Sequence, residues 1–329
     1  MTTQPIYMIT AAAGKIGRKL VGRLLSLPSK PHVVLPTSDA SKLRSSLDEA
    51  LDQTRIHIVQ GNIKDPRFVE TTLREQNVTG VSLALTGEDE LFVTMNILDA
   101  IQRSGIVKHI VYISACEDYS LEAIQRGSLQ GQSAAHILVK YLVEAKLKYG
   151  LPPRGSPGGL SWTVLGPSLF FDNDYLFKES MLEHGTYSWP FGDRGVSRVD
   201  TEDIALAVAN ALADDGRIWG GKKVMIGSLE TYTTRETVHL WSRALERDIE
   251  PRLSDQEGFD AVENDFGRVA GSAWGRDLRL MFETFAERGF DMSEESYREQ
   301  VELLGKEPES YERFVEVTGK QWTRSRGEV

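Results

Sequence analysis

The stretch Ile9-Thr10-Ala11-Ala12-Ala13-Gly14-Lys15-Ile16-Gly17 decides the fold of this chain. An apolar run over residues 6–10 leads into it, and an amphipathic stretch over residues 17–27 follows it. Glycines between a strand and a helix let the backbone approach a diphosphate, whose negative charge the helix N-terminus stabilises. Ala11 stands where such turns normally have their first glycine. The stretch predicts a dinucleotide-binding turn, and a tight turn that uses glycine for steric reasons alone is the alternative.

The alternation of short apolar runs and amphipathic stretches continues through the first half of the chain. Predicted strands cover residues 6–10, 33–35, 56–59, 81–85, 109–114 and 160–165. Predicted helices cover residues 17–27, 41–51, 66–76, 91–103 and 131–149. Strands separated by helices pair in parallel through right-handed crossovers. The sequence therefore predicts an α/β fold with a doubly wound, mostly parallel Rossmann sheet.

The chain changes character after Pro167. Aromatic residues are dense over residues 170–191, and helical periodicity dominates most of the remaining chain. We predict an NAD(P)-binding Rossmann domain over residues 1–168, with return elements near 199–228. Residues 169–329 are predicted to form a smaller, mainly helical substrate-binding region.

The composition argues against several classes of function. Lys and Arg number 38 against 48 Asp and Glu, a net charge of −10, whereas nucleic-acid binding needs a basic surface. Cys116 is the single cysteine, which excludes an internal disulfide and fits a reducing compartment. The N-terminus lacks the features of a secretory signal, and no apolar run approaches the roughly 18 residues of a membrane span. We expect a cytoplasmic protein without a nucleic-acid or membrane partner, and its oligomeric state stays open.

Several segments, taken in order, resemble the NmrA-like branch of the atypical short-chain dehydrogenases/reductases. They are residues 9–17, 59–65, 105–114, His136-x-x-x-Lys140-x-x-x-Glu144, 162–167, 171–173, 199–204 and 303–314. The resemblance implies an NAD(P)-binding Rossmann fold. Some relatives are NADPH-dependent reductases of small aromatic or quinone-like molecules, and others are cofactor-binding regulators without hydride transfer. The family therefore specifies fold and cofactor class better than activity.

The turn is expected to approach the cofactor diphosphate through its backbone. Its predicted cofactor-binding residues are Thr10, Ala12, Ala13, Gly14, Lys15, Ile16 and Gly17. Asn62, after the third strand, resembles the family position whose side chain reaches the adenine edge, and Ile63 would contact the ring. Thr86 and Gly87 follow the fourth strand, where the chain passes the nicotinamide ribose in this topology, unless they form only a turn.

The end of the second strand determines the choice between NAD and NADP. An acidic residue there accepts the ribose hydroxyls of NAD. Relatives that prefer NADP often have a basic residue at the position of Ser38. Ser38 can still donate to a 2′-phosphate that Lys42 or Arg44 neutralises, whereas Asp39 can serve NAD. We predict NADP, with NAD as the alternative.

The candidate catalytic residues are His136, Lys140 and Ser114. His136 and Lys140 are four residues apart in a predicted helix and share a face. The better-known short-chain dehydrogenases have Tyr and Lys at this spacing, the Tyr to pass a proton and the Lys to bind the ribose. An imidazole, with an ordinary pKa of about 6.5, can take the role of that Tyr. The alternatives are a packed histidine and a surface lysine, while Ser114 would orient a carbonyl or a water.

Other patterns add less. The histidines and Cys116 show no metal-ligand spacing, so no metal is expected. Glu117 and Asp118 follow the fifth strand, where they either line the pocket for a cationic substrate or form a solvated turn. The aromatic residues after Pro167 either form core or wall a pocket for a flat apolar ligand. The expected walls of such a pocket come from among Phe170, Phe171, Tyr175 and Trp189.

Together these features predict an NADP-dependent oxidoreductase that transfers hydride to or from a small aromatic or heterocyclic metabolite. One alternative is an NADP-binding, redox-sensing regulator without turnover. Another is a non-redox isomerase or cyclase on the same scaffold.

Overall fold

The computed structural model describes residues 4–152, 154–156 and 159–327. Its strands are β1 (Ile6–Ile9), β2 (His32–Thr37), β3 (Ile56–Gln60), β4 (Gly80–Leu83), β5 (His109–Ile113), β6 (Ser161–Pro167), β7 (Leu169–Phe170), β8 (Thr186–Tyr187), β9 (Val196–Val199), β10 (Lys222–Ile226), β11 (Thr231–Tyr232) and β12 (Glu250–Pro251). Its α-helices are α1 (Lys15–Leu25), α2 (Ala40–Ser46), α3 (Pro66–Glu75), α4 (Glu90–Ser104), α5 (Leu121–Gln125), α6 (Ala135–Tyr149), α7 (Thr201–Asp214), α8 (Thr234–Leu245), α9 (Gln256–Ala270), α10 (Ser272–Arg288), α11 (Glu294–Leu304) and α12 (Tyr311–Gly327).

The main sheet has the strand order β10-β6-β5-β4-β1-β2-β3, and each pair of neighbours is parallel. From β1 the chain runs outward through β2 to β3. It then crosses to β4 and runs outward in the other direction to β10, so that α7 and β10 supply the predicted return elements. The predicted doubly wound Rossmann sheet is confirmed. Ligands of such sheets bind at the carboxyl ends of the strands where the order reverses, which here is between β1 and β4.

Helices cover both faces of this sheet, as buried parallel strands require. On one face, α1 and α7 contribute fully buried side chains such as Leu24 and Val208. On the other face, α3, α4 and α6 contribute Leu73, Ile97 and Val143. Burying one such side chain contributes roughly 1.5–3 kcal/mol. Within the described residues, no helix combines the length and apolar character needed to cross a membrane.

A third apolar cluster forms most of the C-terminal region. Phe177, Tyr187, Trp189 and Phe191 pack in it with Phe282 of α10, and successive rings meet edge to face or tilted. Most of the aromatic run is therefore core, which was one of the two interpretations of the sequence. The predicted boundary between the two regions at residues 168 and 169 stays a prediction.

A buried polar hub joins the elements of this cluster. Asp174 and Arg198 are fully buried and form an ion pair with an N–O distance of 2.8 Å. Asp174 also accepts hydrogen bonds from the hydroxyl of Tyr187 (2.9 Å), the indole of Trp241 (3.0 Å) and the hydroxyl of Tyr311. A buried charge needs such partners to offset its lost hydration. The hub thereby holds β8, β9, α8 and α12 together.

Two helices are shorter than the sequence predicts. α2 ends at Ser46 rather than at residue 51, because the Asp48 side chain accepts the N–H of Ala50 and offers the backbone a local turn instead. α6 begins at Ala135 rather than at residue 131, since the backbone of Ala134 is still extended. Neither difference moves a candidate site residue off its predicted element.

Candidate functional site

The turn between β1 and α1 is built to leave a helix N-terminus open. Gly14 precedes α1, and no side chain caps the helix there. A Cβ on Gly17 would lie 2.0 Å from the carbonyl oxygen of Ala11, so only glycine fits. A Cβ on Gly14 would lie 3.2 Å from the same oxygen. The uncapped N–H groups and this close backbone packing fit a bound diphosphate.

A cleft of about 470 Å³ lies in front of this turn. The turn contributes Gly14, Lys15, Ile16 and Gly17 to its walls, and Thr86 contributes from the loop after β4. Five of the predicted cofactor-binding residues therefore lie together. That a cofactor binds to them stays a prediction.

Side chains of α1 hold the C-terminal region against the cleft. Lys15 Nζ donates to the main-chain oxygen of Asp172 (2.9 Å), and burial lowers the pKa of Lys15. Lys19 Nζ donates to Thr201 Oγ1 (2.6 Å), which in turn donates to an Asp172 carboxylate oxygen (2.8 Å). These contacts fix the neighbouring Asn173, which lines the cleft.

Three other residues of the predicted turn have different surroundings. Thr10 Oγ1 donates to the main-chain oxygen of Ala84 (2.9 Å), which joins the ends of β1 and β4. Ala12 is 2% exposed and packs in the core, whereas Ala13 is exposed. Thr10 and Ala12 could therefore contact a cofactor through their main-chain atoms, because their side chains are engaged in the fold.

The residues predicted to recognise the adenosine half lie outside this cleft. Ser38 is exposed at the end of β2, and Asp39 caps α2 by accepting the N–H of Lys42 (2.9 Å). The Asn62 side chain accepts a main-chain N–H two residues further on (3.0 Å), and Ile63 packs against the core. The cofactor contacts of Ser38, Asn62 and Ile63 stay predictions.

The cleft continues into a second space of about 390 Å³, the aromatic cavity. The residues that line both spaces are Ile16, Ala84, Leu85, Thr86, Ile113, Phe170 and Asn173. The other large apolar walls of the aromatic cavity are Ile137, Leu169, Trp189, Trp274, Leu278, Met281, Phe285 and Phe290. A molecule in the aromatic cavity would therefore contact a molecule bound in the cleft.

Two of the four residues considered for the walls of this cavity contribute to them. Phe170 and Trp189 line it. Phe171 does not, because it is fully buried in the core against Tyr311, at a ring-centroid distance of 5.2 Å. Tyr175 does not line it either and packs against α12 instead. Their place is taken by side chains of α10, whose inward face cannot be distinguished by sequence from an ordinary core face.

His136 is held by a carboxylate from α10. Its Nδ1 hydrogen-bonds one oxygen of Asp277, whose other oxygen accepts the N–H of Ala135. Burial acts to raise the pKa of Asp277, but these hydrogen bonds outweigh it and lower the pKa. An ionised Asp277 makes Nδ1 the protonated nitrogen of a neutral ring and leaves the lone pair on Nε2. Because His136 lines the aromatic cavity, this pair can accept and return a proton there.

Lys140 is engaged in a buried ion pair rather than exposed at the surface. Its Nζ donates to the carboxylate of Glu90 and to the main-chain oxygen of Leu85 (3.3 Å). Lys140 is 8% exposed and Glu90 is 3% exposed, so the surface-lysine alternative is wrong. Lys140 lines the aromatic cavity, and its predicted contact with a ribose stays a prediction.

Ser114 also lines the aromatic cavity, but its hydroxyl already donates a hydrogen bond elsewhere. Its Oγ donates to Glu144, which accepts a second hydrogen bond from Lys223 Nζ (2.7 Å). Burial raises the pKa of Glu144. The oxygen of Ser114 is therefore left as an acceptor. A substrate carbonyl has no proton to donate to this oxygen, so the geometry does not fit the prediction that Ser114 orients a carbonyl. A water can donate to it, so the prediction that Ser114 orients a water fits.

Two predicted residues lie at the rim of these spaces. Glu117 lines the aromatic cavity, and burial raises its pKa. Asp118 is exposed and accepts the N–H of Ser120 (2.8 Å), so it forms the solvated turn that was the alternative for both. Gly87, with a φ of +147°, lines a smaller space of about 380 Å³ on the other side of His136.

The partners of the candidate catalytic residues were not recognisable in the sequence. Asp277 lies 141 positions from His136, and Glu90 lies 50 positions from Lys140. No local pattern links residues so far apart. Glu144 stands in the quoted helix motif, but only the fold brings it to Ser114. Among the described residues, no three His, Cys, Asp or Glu side chains converge as metal ligands.

Comparison with known proteins indicates the class of ligand that the cleft binds. Residues 11–215 match a family model described as NAD(P)H-binding. The match covers more than half of the chain and includes the glycines of the turn, β4 and α7. The chain belongs to the NAD(P)H-binding family.

The individual proteins that this chain resembles have low sequence identity to it. The chain is 23% identical over 211 residues to an NAD(P)H azoreductase of Xenophilus azovorans, and the match covers 64% of each chain, under two thirds of that relative. An NADPH-dependent quinone oxidoreductase from Escherichia coli, solved with NADPH, has a TM-score of 0.72 at 16% identity, over 94% of this chain and 98% of that chain. NmrA, a negative transcriptional regulator solved with NAD, has a TM-score of 0.70 at 16% identity, over 99% and 98%. These structures share the fold, which confirms the NmrA-like resemblance.

Proposed function

We propose that this protein is an NADP(H)-dependent reductase of a small, flat aromatic or heterocyclic compound. The observation that carries the proposal is the shared wall between the cleft and the aromatic cavity, which would bring two bound molecules into contact. Membership in the NAD(P)H-binding family supports a nicotinamide cofactor in the cleft. Two similar proteins are by name an azoreductase and a quinone oxidoreductase, which supports reduction of a flat substrate.

The turn would hold the cofactor diphosphate at the N-terminus of α1. Ser38 would donate to the 2′-phosphate, with Lys42 and Arg44 exposed nearby on α2 to neutralise it. Asp39 is used as the cap of α2, which makes it a poor partner for the ribose hydroxyls of NAD. These positions favour NADP over NAD. When bound, the nicotinamide supplies the hydride.

The side chains of the aromatic cavity would orient the substrate and handle the proton. Phe170, Trp189 and Trp274 exclude water and give a flat ring surfaces on which to pack. Asp277 keeps the proton of neutral His136 on Nδ1, so Nε2 can take up a proton and return it to the substrate. The ionised Asp277 stabilises the imidazolium in between.

A regulator that senses the cofactor is the second candidate. Lys140 is bound to Glu90, so a cofactor that contacts Lys140 must compete with an ion pair that links α6 to α4. Binding would then alter the contact between two helices without any turnover. The shared fold with NmrA, a negative transcriptional regulator, agrees with this candidate.

Consumption of NADPH, followed at the nicotinamide absorbance with a panel of quinones, azo compounds and heteroaromatic compounds, tests the proposal. We expect turnover with at least one class and a preference for NADPH over NADH. Tight binding of NADPH with no turnover on any compound would favour the regulator. A preference for NADH would contradict the roles given to Ser38 and Lys42.

A further inference from the structure

Charged groups are unevenly distributed around the aromatic cavity. Those in or directly behind its walls are Glu90, Glu117, Glu144, Asp277, Lys140 and Lys223. Each lysine is paired with one carboxylate, Lys140 with Glu90 and Lys223 with Glu144. When His136 is neutral, the cavity is therefore surrounded by an excess of two negative charges.

Glu117 is the carboxylate of this group that lines the aromatic cavity without an ion pair of its own among the described residues. Lys223 contacts only its main-chain oxygen and directs its side-chain pairing to Glu144. The other nearby base, Arg288, is exposed and donates to the main-chain oxygen of Gln130. A half-buried carboxylate without its own cation favours a positively charged ligand.

Three of the other polar residues that line the cavity favour the same type of ligand. The hydroxyl of Ser114 donates its hydrogen bond to Glu144, so its oxygen is left as an acceptor. The Nε2 atom of neutral His136 is likewise an acceptor, and Lys140, the charged donor, is occupied by Glu90. A ligand that donates protons or carries positive charge would satisfy these groups, whereas an anion would meet repulsion.

The apolar walls suit a flat cation. Trp189, Trp274, Phe170 and Phe285 present aromatic rings to the cavity. Aromatic faces attract cations, most strongly where water is excluded. A neutral flat ring would gain the same packing but neither this attraction nor the contact with Glu117.

We propose that the aromatic cavity binds a flat aromatic cation, such as a quaternary or protonated nitrogen heterocycle, with Glu117 as its counter-ion. The inference rests on the proposed function only in that it takes this ligand to be the substrate. The binding itself requires neither cofactor nor turnover.

Calorimetric titration of the full chain with N-methylquinolinium and with quinoline, which is neutral at neutral pH, tests the proposal. The two ligands have nearly the same size and shape but differ in charge. We expect the cation to bind on the order of tenfold more tightly, because it alone is attracted by the aromatic faces and by the charge of Glu117. Equal affinities, or tighter binding of quinoline, would overturn the proposal without any variant.

Matched variants assign the effect to Glu117. Glu117→Gln keeps the shape of the side chain and should reduce the preference for the cation several-fold, to what the aromatic rings alone supply, while leaving quinoline affinity unchanged. Asp118→Asn removes the same charge one residue along, outside the cavity, and should keep the preference. Melting temperatures show that both variants are folded. A preference that stays undiminished in Glu117→Gln, or disappears in Asp118→Asn, would remove Glu117 from the role of counter-ion.

The titration and the turnover assay can overturn the inference and the proposed function independently of each other. Reduction of neutral quinones by NADPH, combined with no preference for the cation, would retain the proposed function and overturn the inference. A preference that depends on Glu117, combined with no consumption of NADPH on any compound, would retain the binding site and overturn the proposed function.

Discussion

Gly14 and Gly17 stand in the same turn but are constrained differently. Gly17 has no room for a side chain, because a Cβ added to it would lie 2.0 Å from Ala11 O. Gly14 has a φ of −73° and a ψ of 171°, which other residues also adopt. The sequence shows the glycines but not this difference, because it depends on how closely the loop folds back on α1. Gly17 is thus required for the turn, and Gly14 keeps open the space in front of it.

We predict opposite results for substitutions at these two positions. Gly17→Ala should lower the free energy of unfolding by about 1–3 kcal/mol, because the loop must move. Gly14→Val should still fold, with a smaller loss of stability because its Cβ would lie 3.2 Å from Ala11 O, and yet lose NADPH binding, because the branched side chain occupies the space of the diphosphate. Urea denaturation and calorimetric titration of both variants measure this. Undiminished affinity in Gly14→Val would mean that the phosphates bind elsewhere.

Asp277 is a positioning residue that acts through His136. Asp277→Asn removes the charge that fixes the Nδ1 proton and stabilises the imidazolium. Turnover should fall on the order of 10²-fold or more, with NADPH affinity nearly unchanged, and the pH profile should move toward lower pH. Single-turnover rates and titrations across the pH range measure these effects.

His136→Phe is the companion variant. It should lose turnover to the same degree, and adding Asp277→Asn to it should cost little more, since the two residues act as a unit. If His136→Phe is less stable but fully active per folded molecule, the histidine only packs. Water held by Ser114, or Lys140, would then be left as the proton source.

At the scale of elements, the ion pair of Lys140 and Glu90 connects α6 to α4. Lys140→Met leaves the buried Glu90 carboxylate without a cation and should destabilise the protein by about 3–5 kcal/mol. The double variant Lys140→Met with Glu90→Gln removes both charges and should recover most of that loss. Urea denaturation of the wild type, both single variants and the double variant forms the complete cycle.

The double variant also separates stability from cofactor binding. If Lys140 bridges the nicotinamide ribose, NADPH affinity should fall by about 1.5–3 kcal/mol even after stability is restored. A double variant as unstable as Lys140→Met would contradict the buried pair. Unchanged NADPH affinity in a stable double variant would contradict the ribose contact.

Elements were more predictable than contacts between them. The strands of the sheet and the helices α1, α3, α4 and α7 follow from local hydrophobic periodicity and caps, as with Asp65 at the start of α3. Periodicity reports that a face is buried but not what it faces. Trp274 and Met281 on α10 therefore could not be recognised as walls of the cavity, while Phe171, which was considered for the wall, packs in the core.

At the scale of the whole molecule, acid should weaken the fold through His109. This residue of β5 is 1% exposed, and burial lowers its pKa to about 4. In the unfolded chain it titrates near its ordinary value of about 6.5. The neutral form is the one that the folded protein holds, so the stability contribution is complete above a pH of about 6.5 and is lost as the pH falls toward about 4.

The size of this loss is on the order of 3 kcal/mol from His109 alone. Urea denaturation at a series of pH values measures it in the wild type and in His109→Gln, which cannot titrate. The variant should be less stable at neutral pH, because His109 pairs with Thr163 at 3.2 Å, but its stability should decline less between those pH values. Parallel declines in the two proteins would show that other groups dominate.

The site as a whole depends on contacts between distant parts of the chain. The turn of β1 and α1 forms one end, α6 lies between, and α10 closes the aromatic cavity. Lys15 and Lys19 hold the segment around Asp172 against the turn, so the two spaces stay continuous. We infer that the cofactor cleft and the aromatic cavity form a single site.

A crystal structure of the protein with NADPH bound tests this claim most directly. We predict the diphosphate at the N-terminus of α1 and the nicotinamide at the wall shared by the two spaces, with one face open to the aromatic cavity and His136 within reach of a ligand there. A diphosphate bound away from Gly14, or a nicotinamide whose face is covered by protein side chains, would contradict the claim.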